Sequence, residues 1–165
     1  MEKSEKQKIQ VIPIDDIFNL DTGPMKKVLI SEGPLGYVAE FTGPKVKIWV
    51  ICEDDFKEQI TEVIIKDKIE IEGKECRVNY IGISAFKDCI NLKKVEIPEG
   101  IQKIYAAAFA ETAVEEIRLP NSLKYLGFGA FSGCKKLKKV SLPASCEING
   151  DPFAGCNKDL MVETY

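Results

Sequence analysis

The chain has 165 residues, the size of one domain with a core of its own. Hydrophobic residues make up 45% and charged residues 30%, as in globular proteins, and the net charge is −3. The chain contains no histidine, which excludes histidine-based acid/base catalysis, histidine-activated nucleophiles and the common zinc sites that use histidine.

The N-terminal segment MEKSEKQKIQ is charged and lacks the apolar stretch of a secretory signal. We expect residues 1–12 to be a disordered leader. The protein is expected in the cytoplasm if Met1 is the native start, and on the cell surface or secreted if the chain is a mature fragment. The longest apolar runs, such as residues 104–110, are too short to span a membrane, so no membrane insertion is expected.

Residues 13–79 are expected to form a β-rich N-terminal cap. After the segment PIDDIFNL, expected to add one helical turn, Gly-Pro pairs recur every ten residues from position 23. They separate β-rich runs over residues 26–31, 35–41 and 46–52, which predicts a small antiparallel meander. Because a solenoid needs a cover for its exposed core and strand edge, this meander is the candidate cap.

Residues 80–165 carry a repeat of 22–23 residues with the pattern AFxxCxxLxxVxIPxxIxxI. Its phenylalanines stand at Phe86, Phe109, Phe131 and Phe153. One such unit cannot bury its apolar side alone, so the period predicts a solenoid with stacked core ladders. Cysteines 89, 134 and 156 form a further predicted ladder with Thr112, where the repeat is one residue short and a local distortion is expected.

A degenerate copy of the repeat precedes this region. Ile60, Val63 and Ile65 reproduce its LxxVxI part, but Ile65 precedes Ile97 by 32 residues. About ten extra residues, around EIEGKECRVN, are therefore expected to loop out of the solenoid.

The run AFxxCxxLxxVxIP resembles the signature of the BspA-type leucine-rich repeat family over residues 80–156, about half of the chain. The resemblance implies a β-rich solenoid of short strands and turns. It also implies a non-catalytic protein-binding module, because similar proteins include bacterial surface proteins and adhesins that bind host or matrix proteins. No cofactor and no metal site are expected.

The outward positions of the LxxVxIP strands are the first candidate binding surface. In adjacent repeats they align about 4.8 Å apart and form charge columns, one of which reads Glu62, Lys94, Glu116, Lys139. One interpretation is a ladder that neutralises itself and keeps the sheet soluble and in register. The other is a protein-binding face. Its predicted contact residues are Lys94, Glu96, Glu116, Arg118, Lys138 and Lys139.

A basic stretch lies at the C-terminal end of these columns. Between Glu116 and Glu147 there is no acidic residue but six basic ones, at positions 118, 124, 135, 136, 138 and 139. Such a stretch is either a solvated face or a patch for an acidic protein, a polyanionic glycan or nucleic acid. Nucleic acid is the least favoured partner, because residues 80–165 hold 11 basic and 10 acidic residues and no RNA-binding aromatic motif.

Aromatic residues outside the core ladder are the second candidate surface. Tyr80, Lys103 and Tyr125 occupy equivalent repeat positions, as do Ile83, Ala106 and Phe128. We expect them to share one side of the solenoid, where Tyr125 and Phe128 either anchor a partner or form partly buried packing.

Other functions find less support in the residues. Gly127, Gly129 and Gly133 have the wrong spacing for a dinucleotide loop, and the acidic clusters at 15–16 and 53–55 are interpreted as turn and cap residues. The alternatives left open are an intracellular effector or inhibitor with the same fold, a cysteine- or carboxylate-dependent enzyme, and a purely structural repeat that stacks with neighbours.

Overall fold

The computed structural model describes residues 8–11, 26–42 and 45–165. The predicted helical turn at residues 13–20 lies outside the described residues. The described chain forms fifteen strands and one short 3-10 helix, Asp54–Phe56. The strands are β1 Lys8–Val11, β2 Lys26–Glu32, β3 Leu35–Thr42, β4 Lys45–Cys52, β5 Glu62–Ile64, β6 Lys68–Ile71, β7 Lys74–Arg77, β8 Tyr80–Ile81, β9 Lys94–Glu96, β10 Lys103–Ile104, β11 Glu116–Arg118, β12 Tyr125–Leu126, β13 Lys139–Leu142, β14 Glu147–Ile148 and β15 Met161–Thr164.

The predicted meander is confirmed and forms one end of the largest sheet. Strands β2, β3 and β4 pair antiparallel, and β4 then pairs parallel with β8, the first strand of the regular repeats. Among the described strands this sheet runs β1-β2-β3-β4-β8-β10-β12-β14. Its inward side chains Ile30, Tyr37, Ala39, Ile48 and Val50 are buried. The meander therefore extends the solenoid sheet and covers the N-terminal end of the core, as expected of a cap.

The segment expected to be a disordered leader contains a strand. Residues 8–11 form β1, which pairs antiparallel with β2 in the register Lys8↔Ser31 to Val11↔Val28. The prediction was based on the charge of the segment and did not consider that the meander has a free strand edge with which the segment can pair. That edge presents unpaired backbone N–H and C=O groups, and an extended segment nearby satisfies them.

The ten extra residues of the degenerate repeat fold into a hairpin. Strands β6 and β7 pair antiparallel around Glu72 and Gly73, with Ile69 opposite Cys76. Ile69 and Ile71 point into the core, so the insertion adds buried surface to the solenoid as well as length.

The short LxxVxI strands line a second side of the solenoid. Strand β5 pairs parallel with β9, and β11 pairs with β13 and then β15. Strands β9 and β11 belong to different sheets among the described residues. This break between β9 and β11 lies in the repeat that is one residue short. The distortion predicted near Thr112 is therefore found in the pairing of these short strands.

The core consists of the predicted ladders. The rings of Phe86, Phe109 and Phe131 are fully buried and stack in parallel, with centroids 5.1 and 5.2 Å apart. Phe153 continues the stack at 5.9 Å and is only partly buried, because it lies in the last repeat. Leu92, Val114 and Leu137 form the second apolar ladder, each with no exposed surface.

The cysteine ladder joins successive repeats through hydrogen bonds. The thiol of Cys134 donates to the carbonyl of Phe109 at 3.1 Å, and the thiol of Cys156 donates to that of Phe131 at 3.0 Å. Thr112 joins the same ladder through Cys134, whose Sγ lies 3.4 Å from the buried Thr112 hydroxyl, and this hydroxyl donates to Phe109 O of its own repeat at 3.0 Å. These bonds satisfy backbone carbonyls inside the turns, where no strand partner is present.

Repeat geometry accounts for the glycines of GFGAFSG. Gly129 has a φ of 61°, and the equivalent residues Ala107 and Ser84 have φ values of 54° and 53°. Gly133 has a φ of 71°, and the equivalent Glu111 one of 59°. Each turn of this kind thus needs two left-handed residues, which glycine adopts most easily. The glycines belong to the turn and not to a nucleotide loop.

Candidate functional site

The outer side chains of the short strands form a surface that we call the charged face. Strand pairing confirms two segments of the predicted column, since Glu62 is opposite Lys94 and Glu116 is opposite Lys139. The break between β9 and β11 separates these segments. Of the predicted contact residues, the structure places Lys94, Glu96, Glu116, Arg118, Lys138 and Lys139 on this face.

The lysines of the charged face are held by carboxylates of the same face. Lys94 Nζ lies 3.0 Å from Glu96 Oε1, and Lys138 Nζ lies 2.9 Å from Glu115 Oε2. The Lys138 ammonium lowers the pKa of the Glu115 carboxyl, and that carboxylate raises the pKa of Lys138. All four side chains are half or more exposed, so each pair adds little stability.

The C-terminal end of the charged face is covered in part by the last strand. Lys139 Nζ lies 3.0 Å from Glu163 of β15. The Arg118 guanidinium lies 3.8 Å from the ring centroid of Tyr165, a cation–π contact. The Tyr165 hydroxyl in turn donates to the carbonyl of Leu119. A partner approaching here would have to displace contacts that already exist.

The basic residues at positions 118–139 do not all lie on one side of the solenoid. Arg118, Lys138 and Lys139 lie on the charged face. Lys124 precedes β12 in the other sheet, where its backbone N–H donates to Gln102 O. Lys135 lies in the turn that follows Cys134, and its ammonium donates to Gly155 O at 2.7 Å. The local charge of the sequence is thus distributed over different sides of the solenoid.

The outer face of the eight-stranded sheet carries a different surface. Parallel pairing places Tyr80 beside Lys103 and Lys103 beside Tyr125, so the predicted equivalence of these three residues is confirmed. The same row continues into the meander, because Trp49 is opposite Tyr80. The next residue along each repeat strand is fully buried in the core, on the opposite side of the sheet from the row: Ile81, Ile104 and Leu126.

Four aromatic rings stand next to one another on this face, and we call them the aromatic row: Trp49, Tyr80, Tyr105 and Tyr125. Their successive centroids are 5.6, 6.0 and 6.3 Å apart, and neighbouring rings are tilted by 36°, 57° and 53°. These distances and tilts are those of favourable aromatic contacts. All four residues are half-buried, so each keeps part of its surface open to solvent.

A polar contact fixes the row at one end, where Asn149 Nδ2 donates to the Tyr125 hydroxyl oxygen at 2.7 Å. In the middle of the row, burial is the main cause of a raised pKa of Tyr105, and the neighbouring Tyr80 adds to it. Lys103 Nζ lies 5.6 Å from the Tyr125 ring centroid and adds a positive charge in the middle of the row.

Two large apolar side chains stand beside the aromatic row. Ile83 and Phe128 follow β8 and β12 by two residues and are 64% and 61% exposed. Phe128 packs on the open backbone of Gly150, where an added Cβ would lie 2.8 Å from the ring. The predicted binding residues Tyr125 and Phe128 thus lie near each other on this side and away from the charged face.

Trp49 and Tyr105 are members of the row that the sequence analysis missed. Tyr105 stands two residues after Lys103, and this spacing was the signal for a side chain on the same face. Trp49 joins the row only because β4 pairs with β8. The meander does not contain the repeat pattern, so no sequence signal indicated that pairing.

The described residues contain no group of three or more potential metal ligands. Two of the ladder thiols are poorly placed for nucleophilic attack, since Cys89 and Cys134 have no exposed surface. Burial raises the pKa of Cys134, and it raises that of Cys156 to about 11. Within the described ranges, no helix has the length and apolar character that crossing a membrane requires.

Comparison with known proteins identifies the repeat. The family model described as "BspA type Leucine rich repeat region" matches residues 57–161 in six copies. This match reaches further upstream than the resemblance seen in the sequence and includes the degenerate repeat. No curated protein sequence shows significant similarity to the chain.

Solved structures of bacterial proteins share the fold. A leucine-rich repeat protein from Bacteroides capillosus is 26% identical, with a TM-score of 0.70, over 83% of this chain and 98% of that one. The leucine-rich repeat protein of T. pallidum is 24% identical (TM-score 0.53) over 70% of this chain and 62% of its own. The pneumococcal vaccine antigen PcpA is 21% identical (TM-score 0.51) over 82% of this chain and 50% of its own. The chain thus spans half to two thirds of the latter two.

Proposed function

This chain belongs to the BspA-type leucine-rich repeat family, and on that premise we propose that it is a non-catalytic module that binds a protein partner. A leucine-rich repeat solenoid presents extended side surfaces that suit such a role. The specific observation that supports it is the aromatic row, flanked by Ile83 and Phe128 at more than 60% exposure.

The aromatic row is the better of the two candidate contact surfaces. Tyrosine and tryptophan dominate binding energetics at protein interfaces, because they bury large areas at a low cost in conformational entropy. The rings here are already ordered by contacts with one another and by the bond from Asn149 to Tyr125. A partner that binds them therefore loses little further side-chain entropy.

The charged face is the second candidate. Its charges alternate in sign, so it can distinguish a partner with complementary charges, and such complementarity governs association rate and partner choice. Against it stand the ion pairs Lys94–Glu96, Lys138–Glu115 and Lys139–Glu163, which already neutralise these lysines. We assign it the role of steering a partner, with most of the affinity residing in the aromatic row.

The same site is compatible with two biological settings. An extracellular partner would make the protein adhesin-like, and an intracellular one would make it an effector or inhibitor. Catalysis is the less supported alternative, because the chain has no histidine and the ladder thiols of Cys89 and Cys134 are buried.

Affinity capture with paired variants tests the proposal. The immobilised chain is exposed to a lysate of the source cells and to host extracellular matrix. The Tyr80→Ala/Tyr125→Ala variant should lose the captured protein, and the Lys138→Glu/Lys139→Glu variant should retain it with slower association. The reverse pattern would move the contact surface to the charged face, and the absence of any specific partner would contradict the binding module itself.

A further inference from the structure

Two tyrosines of the aromatic row are separated by two strand spacings. Tyr80 pairs with Lys103, and Lys103 pairs with Tyr125, in parallel register. At about 4.8 Å per strand, the two tyrosine positions recur about 9.6 Å apart along the solenoid axis. A polyproline II helix has three residues per turn and a rise of about 3.1 Å, so it advances about 9.3 Å per turn. Such a ligand, lying along the axis, places residues i and i+3 over Tyr80 and Tyr125.

The shape of the row suits proline side chains. The Tyr105 ring lies 6.0 Å from Tyr80 and 6.3 Å from Tyr125 and is tilted against both, so the three rings do not lie in one plane. Aromatic surfaces of this kind bind proline rings, and polyproline II ligands are already ordered before binding, which lowers the entropic cost.

The aromatic row also offers a hydrogen-bond donor that suits the backbone of such a ligand. Backbone carbonyls of a polyproline II helix have no internal partners. The Tyr125 oxygen accepts a hydrogen bond from Asn149, so the O–H of Tyr125 is available as a donor. The row can thus pair carbonyls that the ligand leaves unsatisfied.

The charge in the row selects among proline-rich sequences. Lys103 is exposed and lies between the two tyrosine positions, 5.6 Å from the Tyr125 ring centroid. A ligand residue between the prolines passes close to this ammonium group. An acidic residue there gains a favourable contact, whereas a basic one is repelled.

We propose that the aromatic row binds a proline-rich segment of a protein partner in the polyproline II conformation, with prolines at i and i+3 and an acidic residue facing Lys103. The inference rests on the proposed function and adds the chemistry of the partner. It commits to a peptide ligand, and a polysaccharide ligand is an outcome of the test.

Trp49 makes the test direct, because it is the single tryptophan of the chain and a member of the row. The probe is the peptide Ac-(Pro-Pro-Glu)3-NH2, which has no fluorescence of its own at tryptophan wavelengths. Its titration into the full chain should change Trp49 emission in a saturable manner. Two control peptides should each bind about tenfold more weakly. (Pro-Pro-Lys)3 lacks the negative charge that faces Lys103, and (Gly-Ser-Glu)3 lacks the polyproline II conformation.

Variants locate the binding site. Tyr125→Ala should weaken binding of the glutamate peptide about tenfold, the usual cost of removing an interface anchor. Lys103→Glu alters an exposed side chain, so the fold is kept, and it should reverse the preference in favour of (Pro-Pro-Lys)3. Lys139→Glu, on the charged face, is the matched control and should leave binding unchanged.

The outcomes separate the inference from the proposed function. Equal binding of (Gly-Ser-Glu)3, or no binding of the proline peptide while a captured protein still depends on Tyr80 and Tyr125, overturns the inference and leaves the binding module standing. A saturable response of Trp49 to cellohexaose and not to the peptide likewise overturns it in favour of a glycan. If neither the peptide nor the captured protein depends on the row, the inference fails and the contact surface moves away from the row, and if no protein is captured at all, both proposals fail.

Discussion

The rings of Phe86 and Phe109 stack with their centroids 5.1 Å apart and their planes 3° from parallel. Neither residue has any exposed surface. Because the two residues belong to successive repeats, this contact is the means by which one repeat covers the next. The stability of the solenoid therefore depends on the middle of the ladder more than on its end.

Phe109→Ala should be strongly destabilising. Phe109 contacts a ring on each side, and its removal leaves a cavity that the neighbouring turns cannot fill, at a cost of about 3–5 kcal/mol in the free energy of unfolding. Phe153→Ala is the matched control, because Phe153 has one ring neighbour and is partly exposed. Denaturant unfolding of both variants tests this difference, and equal losses would contradict the stacked-ladder account.

Gly127→Ala should destabilise the aromatic row for a steric reason. A Cβ at this position would lie 2.7 Å from Ala106 N and 2.8 Å from the carbonyl carbon of Tyr105, and both atoms belong to the backbone. The expected cost is about 1–3 kcal/mol, as for overpacking. A Cβ at Gly82 would lie 3.1 Å from the Ile51 side chain and 3.4 Å from the nearest backbone atom, Val50 O, so Gly82→Ala should cost less. Thermal unfolding measures both, and a Gly127→Ala variant as stable as the parent would contradict the close approach.

The Glu99 carboxylate should make stability depend on pH. It accepts hydrogen bonds from the backbone N–H groups of Asn121 at 2.9 Å and Ser122 at 3.0 Å, across one repeat. The Asn121 backbone bond is the main cause of a lowered Glu99 pKa in the folded state. A lowered folded pKa means that the stabilisation is fully present above the ordinary value of 4.5 and is lost as the pH falls through the folded pKa.

Comparison with Glu99→Gln tests that dependence. The free energy of unfolding of the parent should exceed that of the variant at pH 7, and the difference should shrink as the pH falls below about 4.5. Glu58→Gln, which removes an exposed carboxyl elsewhere in the chain, is the control for the loss of one negative charge. A difference between parent and Glu99→Gln that stays constant from pH 7 to pH 3 would rule out the linkage.

Thiol labelling distinguishes a binding module from a cysteine enzyme. Cys89 and Cys134 are fully buried, and burial raises the pKa of Cys134. Cys76 and Cys146 are only half-buried. With a thiol reagent at pH 7.5, Cys76 and Cys146 should react first, and Cys89 and Cys134 only at the rate of unfolding. Rapid native labelling of Cys89 or Cys134, located by mass spectrometry, would contradict the structural role of the ladder.

The repeat half of the fold could be predicted from the sequence because every ladder is a sequence period. The steps between Phe86, Phe109 and Phe131 define the stacking, and the same steps place Tyr80 in register with Tyr125. A repeat period of this kind predicts contacts between distant residues, because each residue packs against its equivalent in the next repeat.

The missed features depend on contacts between unlike segments. Trp49 reaches the aromatic row through the pairing of β4 with β8, and β1 forms because the edge of β2 is free. Neither pairing repeats along the chain. The charged face shows a related limit, because Lys94 pairs with Glu96 of its own strand although Glu62 is opposite it in the register. A long side chain on an exposed strand has more than one possible partner.

The central claim is that a protein partner contacts the aromatic row, and the environment of Trp49 in the complex tests it most directly. The chain is labelled with 5-fluorotryptophan, which yields one fluorine signal because Trp49 is the only tryptophan. On titration with the captured partner, whose own tryptophans stay unlabelled, the fluorine resonance should shift or broaden to saturation, and the Lys138→Glu/Lys139→Glu variant should behave in the same way. A resonance that is unchanged at saturating partner would contradict the account.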